Sequence, residues 1–270
     1  KAYLNKRMLS DESINTFQIG YAPEGWRHLE HAPRFNTKIG KTLGLIIETD
    51  KGGYDRFRNR IIFPIISHQG KVVGFGGRSL GDEKPKYINS AESLIYHKSD
   101  ILYGLYHALQ HQEKTLIIVE GYLDVISLHA AGFVGACASL GTAFTPSHFK
   151  LAARYAEHII FCFDGDEAGQ KAQEKAFQTL LPHIRDQVSC SFLSLPKGED
   201  PDSYLQKHGK EAFLSCLDSA TPFSEYLLSH GHFNDNPSLE QAAKKHAHLS
   251  SLIKQMPDSI LKNLLLDKLP

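Results

Sequence analysis

Residues 115–125 read TLIIVEGYLDV and residues 158–169 read HIIFCFDGDEAG. Each begins as a short apolar run rich in β-branched or aromatic residues, stops at a carboxylate, and passes a glycine into a helical pattern. The first run ends at Glu120, the second at Asp164 and Asp166. A helix is predicted after Gly121, ending near Gly132. Another is predicted over Glu167–Leu180, where Ala168, Ala172 and Ala176 recur at four-residue spacing. Phe133–Ala138 and Val188–Leu195 are further strand candidates, and Pro146–Glu157 is a further helix with Pro146 near its first turn. This alternation predicts an α/β region with a largely parallel sheet covered by helices on both faces.

Sites in open α/β sheets gather beyond the carboxyl ends of the strands. Glu120, Asp164 and Asp166 fall there, as do Asp200 and Asp202, which follow the turn Pro196-Lys197-Gly198-Glu199. Asp124, one helical turn beyond Glu120, is expected to support the same site. Converging carboxylates are costly to ionise together unless cations neutralise them. An all-oxygen ligand set suits hard divalent ions, Mg2+ first and Mn2+ as the alternative. The competing reading makes Asp164-Gly165-Asp166 and Asp200-Pro201-Asp202 turns with helix N-caps. It serves for either pair alone and weakens when all of them fall on successive strand ends.

Outside this region the pattern changes. Residues 1–112 mix short strands and turns, with Arg60–Ile66 and Lys71–Phe75 flanking a hairpin turn at His68-Gln69-Gly70. Residues 207–270 lack strand signals and carry Leu-rich helical periodicity around Phe223–Leu228 and Ile260–Leu266. Three subdomains are expected: mixed α+β and basic over 1–100, α/β and metal-binding over 101–219, helical over 220–270.

Lys and Arg equal Asp and Glu at 30 each, yet the charge is unevenly spread. Residues 1–112 hold 16 basic against 11 acidic side chains, whereas residues 113–206 hold 7 against 12. A basic segment beside an acidic one suits an enzyme that handles polyanions with bound cations. Cys137, Cys162, Cys190 and Cys216 form no CxxC pair, so neither a zinc site nor a disulfide framework is expected, and a reducing cytoplasm fits. His107 and His111, and His246 and His248, lack the surroundings of a zinc site and read as surface residues. No apolar run reaches the roughly 18–20 residues that cross a bilayer, so no membrane partner is expected. The start at Lys1, without a signal segment, reads as that of a fragment of a longer protein.

Val119–Val125 (VEGYLDV) and Phe163–Gly169 (FDGDEAG) resemble the two signature segments of the TOPRIM fold. Further segments narrow the resemblance to the catalytic core of bacterial DnaG-type primases. They are Phe17–Pro23 (FQIGYAP), Tyr54–Ile66 (YDRFRNRIIFPII), Gly70–Leu80 (GKVVGFGGRSL), Lys86–Ser90 (KYINS), His97-Lys98, Leu102–Leu105 (LYGL), Leu140–Ala143 (LGTA) and Gly198–Asp202 (GEDPD). They run in one order from about residue 3 to about residue 225.

The resemblance implies that Glu120, Asp164 and Asp166 are catalytic and hold Mg2+, with Asp200 and Asp202 as further ligands. It also implies that Arg7, Arg78, Lys86 and Lys98, with Tyr87 and Asn89 nearby, bind nucleotide and template. The activity implied is synthesis of an RNA primer from NTPs on single-stranded DNA at the bacterial replication fork. The replicative helicase would be met through a domain absent here, and the family's zinc domain is likewise absent, so this fragment carries no zinc. Met8 and Leu123 stand where the family usually has glycine and often methionine, away from the expected metal. A TOPRIM-type nuclease is the alternative, using the same carboxylates to activate water. Gly74–Gly77 (GFGG) lacks the Lys-Ser/Thr of a phosphate loop and is read as room for close backbone approach. Arg56, Arg58 and Arg60 are read equally as nucleic-acid contacts or as support for the acidic edge.

Overall fold

A computed structural model describes residues 9–50, 52–81, 83–230 and 238–269. Its strands are β1 (Gly20–Ala22), β2 (Ile46–Thr49), β3 (Gly52–Asp55), β4 (Arg60–Ile66), β5 (Val72–Ser79), β6 (Tyr87–Asn89), β7 (Thr115–Val119), β8 (Ala136–Ala138), β9 (His158–Phe163), β10 (Ser189–Ser194) and β11 (Thr221–Pro222). They form a four-stranded antiparallel sheet in the order β1-β4-β5-β6, a five-stranded sheet in the order β11-β10-β9-β7-β8, and the hairpin β2-β3. In the five-stranded sheet β8, β7, β9 and β10 are mutually parallel, and only β11 runs antiparallel.

The alternation expected of a strand covered on both faces is explicit. Leu116, Ile118, Ile159, Phe161, Cys190 and Phe192 point into one apolar core, with the helices Pro146–Ala152, Glu167–Leu180 and Phe223–Ser229. Ile117, Val119, Ile160, Cys162 and Leu193 point into the other, shared with the helix Tyr122–Ala130 and with Phe17, Ile61, Phe63 and Ile65 of the N-terminal region. The second core therefore joins the antiparallel sheet to the parallel one. Phe161, fully buried between aromatic neighbours, would cost about 3–5 kcal/mol if truncated to alanine. Cys137, Cys162 and Cys190 are buried thiols in strands.

The structure shortens or adds some elements. The strand expected over Phe133–Ala138 is only Ala136–Ala138, because Val134 and Gly135 form a turn in which Ala136 N–H donates to Phe133 O at 3.2 Å. The helix expected over Pro146–Glu157 ends at Ala152. The C-terminal stretch is not strand-free: Thr221–Pro222 pairs with β10, tying its first helix to the sheet. Leu239–Lys254 is a helix started by Ser238, whose side chain accepts from Gln241 N–H. His107 is not a free surface residue: its ring packs on Phe17 with centroids 4.4 Å apart, and burial, then His111, holds it below the usual imidazole range.

The GFGG segment lies inside β5, where its glycines make room for side chains. A Cβ on Gly76 would stand 2.2 Å from the Tyr122 ring, and one on Gly77 would stand 2.6 Å from Phe57.

Candidate active site at the strand ends

Glu120 follows β7, Asp164 follows β9, and the Pro196–Glu199 turn carries β10 to Asp200. Two loops are laced together by backbone hydrogen bonds, Gly165 N–H to Glu199 O at 2.8 Å and Gly198 N–H to Gly165 O at 3.1 Å. Gly165 is obligatory here, since a Cβ would lie 2.1 Å from the Pro196 carbonyl oxygen. Gly169 is equally constrained, as its Cβ would lie 2.0 Å from Asp164 O. The two glycines of FDGDEAG thus let the acidic loop pack onto its neighbour and onto its own helix.

A cavity of about 570 Å³ opens over these ends. Glu120, Asp124, Asp164, Asp200 and Asp202 line it on the acidic side. Lys86, Tyr87, Asn89 and Lys98 line it from the N-terminal region, with Leu140 and Gly141 between. Asp166 does not line this cavity but contributes its charge to both Glu120 and Asp164.

All of the site's carboxylates but that of Asp164 are individually anchored. Glu120 Oε1 accepts from Asp164 N–H at 3.3 Å. Asp166 caps the helix Glu167–Leu180 through Gly169 N–H at 2.8 Å, and Asp200 caps Pro201–Asp218 through Ser203 N–H at 2.6 Å. Asp202 is buried, with Oδ1 accepting from Ser127 Oγ at 2.6 Å and Gln206 Nε2 at 2.7 Å. Asp124 Oδ2 accepts from Gly121 N–H at 3.0 Å. Asp166 and Asp200 therefore cap helices, as the turn reading of the sequence expected.

The electrostatics are those of a site short of positive charge. Asp164 is pushed up to about 7, by burial first and then by Glu120, Asp200 and Asp166. Burial, offset in part by the Asp164 N–H, also raises Glu120. Asp124 stands well above the carboxylate range through burial and then Asp200, Asp164 and Asp202. Asp164 Oδ1 is buried without a hydrogen-bond partner. Among the described residues no three acidic, His or Cys side chains converge tightly enough, as they stand, to grip one ion. An orphaned carboxylate oxygen, mutual repulsion and an all-oxygen donor set nonetheless fit a hard divalent cation.

The basic residues divide. Lys86 and Lys98 reach the cavity wall and make no ion pair among the described residues. Arg78 is buried beside it, with Nε donating to Tyr87 Oη at 3.1 Å. Asn89 is held at both ends, its Oδ1 accepting from Tyr122 Oη at 2.7 Å and its Nδ2 donating to Leu140 O at 3.1 Å. Arg7 lies outside the described residues. Arg56, Arg58 and Arg60 line a different cavity of about 600 Å³, shared with Trp26 and Tyr54. Arg60 is buried and donates to the carbonyls of Pro85 and Lys86, so its part is structural. Arg58 lies over both aromatic rings, 4.4 and 4.9 Å from their centroids.

His148 was not singled out from the sequence. Its Nδ1 accepts from Thr145 N–H at 3.1 Å, which leaves Nε2 protonated to donate to the Lys98 carbonyl at 2.8 Å. The Thr145-Pro146-Ser147-His148 capping pattern was the available signal.

Comparison with known proteins agrees with this fold. Residues 1–109 match the family described as DNA primase catalytic core, N-terminal domain, and residues 117–205 match the Toprim-like family. A solved DnaG primase catalytic domain bound to ssDNA is 40% identical, with a TM-score of 0.90 over 99% of this chain and 89% of that one. The chain belongs to the DnaG primase catalytic cores. A DNA primase domain from Pseudomonas aeruginosa superposes with a TM-score of 0.93 at 40% identity, over 100% of this chain and 88% of that one. The DNA primase of Legionella pneumophila is 41% identical over 99% of this chain, which spans 47% of that protein. The chain thus covers about half the length of the curated primases it matches, and its fold is the mixed α/β, TOPRIM-containing one of the family.

Proposed function

We propose that this primase core synthesises RNA primers on single-stranded DNA by nucleotidyl transfer from NTPs. The observation that carries the reading is one cavity walled by five carboxylates and by two lysines that make no ion pair among the described residues. A ribonucleotide 3′-hydroxyl attacks the α-phosphate of the incoming NTP, and pyrophosphate leaves. Glu120, Asp164 and Asp166, with Asp200 and Asp202, would hold Mg2+ or Mn2+, and Asp124 would support them. Bound there, such ions neutralise the triphosphate and lower the hydroxyl pKa.

The rest follows from this chain's own side chains. Lys86 and Lys98 pair with the triphosphate, and His148 fixes the backbone that carries Lys98. The exposed Tyr87 ring offers a stacking face for a base, while Arg78 holds its hydroxyl. Asn89 acts as a strut between the two sheets rather than as a base reader. Trp26, Tyr54 and Arg58 extend the basic face and suit an unpaired template strand. That a 40%-identical DnaG catalytic domain binds ssDNA supports this template. Arg7 is assigned to nucleotide or template by resemblance alone.

No helix among the described residues is long and apolar enough to cross a membrane. We place the protein in the bacterial cytoplasm at the replication fork, with the replicative helicase met through another part of the full-length protein.

The test is incubation with single-stranded DNA, four labelled NTPs and Mg2+ or Mn2+, beside Asp164→Asn. Template-dependent RNA products lost in the variant support the reading. Template cleavage without RNA synthesis would instead assign a nuclease.

A further inference from the structure

The acidic subdomain is polarised end to end. Its carboxylates crowd the carboxyl edge of the sheet, whereas three of the seven Lys and Arg residues between 113 and 206 gather at the opposite edge. Lys150 and Arg154 come from the end of the helix Pro146–Ala152 and the turn beyond it. His183 and Arg185 come from the turn between the helix Glu167–Leu180 and β10. These four side chains, with Gln187, surround a cavity of about 280 Å³ whose floor is apolar, formed by Phe149 and Val188.

No carboxylate lines this cavity. None of the four basic side chains makes a hydrogen bond or ion pair among the described residues. Two acids adjacent in sequence to these segments are committed elsewhere: Asp186 accepts from Ile260 and Leu261 N–H at 2.9 and 3.0 Å, and Glu157 pairs with Lys114. Burial, then Lys150 and Arg185, holds His183 below the usual imidazole range. The helix Glu167–Leu180 runs from Asp166 at the acidic edge to this cavity, a span of about 20 Å at 1.5 Å per residue. The cavity is therefore separate from the candidate active site.

Like charges brought together without counter-ions repel, and a bound polyanion relieves that repulsion. We propose that this cavity is a second anion site, which takes the phosphate groups of a small soluble polyphosphate. Two guanidinium groups, an ammonium and an imidazole N–H supply charge-assisted donors for several phosphate oxygens. A cavity of this size admits a pyrophosphate-sized group with its charge on the basic rim.

The test is calorimetric titration of the chain with inorganic pyrophosphate in the presence of a chelator, so that the carboxylate cavity repels the ligand. Wild type and Asp164→Asn should bind one equivalent with the same affinity. Arg154→Ala/Arg185→Ala, whose exposed side chains are not needed for folding, should bind at least tenfold more weakly with an unchanged melting temperature. Repeating the titration with a nucleoside triphosphate distinguishes free pyrophosphate from a nucleotide tail as the source. Equal binding by wild type and the double variant would overturn the proposal. So would the absence of saturable pyrophosphate binding, including the case in which only a single-stranded oligonucleotide binds. Asp164→Asn abolishes primer synthesis in the functional reading but leaves this binding intact, so the two failures are distinguishable.

Discussion

Tyr122 Oη donates to Asn89 Oδ1 at 2.7 Å, joining the residue two places beyond Glu120 to the last strand of the antiparallel sheet. The Tyr122 ring also stacks on Phe63, 4.9 Å between centroids, in the space left by Gly76. One side chain therefore registers the basic region against the acidic one. Tyr122→Phe keeps the ring and removes the hydroxyl, leaving Asn89 Oδ1 without that donor. A loss of about 1–2 kcal/mol is expected, read as a lower urea midpoint at unchanged slope.

Gly165→Ala would force a Cβ to within 2.1 Å of Pro196 O and separate the loops that bring Asp164 toward Asp200. The expected outcome is a drop in Mn2+ affinity of tenfold or more with a lower melting temperature. Gly198→Ala, where a Cβ meets nothing within 4 Å but φ is 82°, should cost only about 1 kcal/mol and spare metal binding.

The fold was legible where apolar runs end at a carboxylate or glycine. Thr115–Val119, His158–Phe163 and Glu167–Leu180 appear with the boundaries their composition predicts, because both faces of each strand are buried and the helix is capped at once by Asp166. Ala136–Ala138 and Thr221–Pro222 were less legible because strands of two or three residues carry no periodicity of their own. At the site, Glu120, Asp164, Asp166, Asp200 and Asp202 were readable as strand-end acids and Asp124 as a helix residue one turn on; all but Asp166 line one cavity. The strut role of Asn89 and the support of Lys98 by His148 depend on contacts 33 to 51 residues apart in sequence, which no local pattern reports.

The pH dependence should invert with metal. In the chelated protein Asp164 is raised from the ordinary carboxylate range to about 7, so its proton is bound more tightly in the folded state. Its contribution to stability is fully present below about pH 4 and is lost as pH rises through 7. Melting temperature in chelator should therefore fall between pH 5 and 8 from this group. Saturating Mn2+, which competes with the proton, should remove or reverse the fall.

His148→Phe keeps a buried ring but loses the hydrogen bond to Lys98 O. KM for NTP should rise several-fold with kcat less affected, since Lys98 would keep its charge and lose its position. Lys98→Ala should raise KM further, by about tenfold or more for a lost charge-assisted contact. An unchanged KM in both variants would remove Lys98 from the nucleotide site.

The most direct measurement is Mn2+ binding followed by electron paramagnetic resonance in wild type, Glu120→Gln and Asp164→Asn. Bound Mn2+ in wild type, weakened at least tenfold in both variants while their folds persist, is the predicted result. Equal binding in all three proteins would mean that the strand-end carboxylates do not hold the ion, and the proposed chemistry at this cavity would fall with that result.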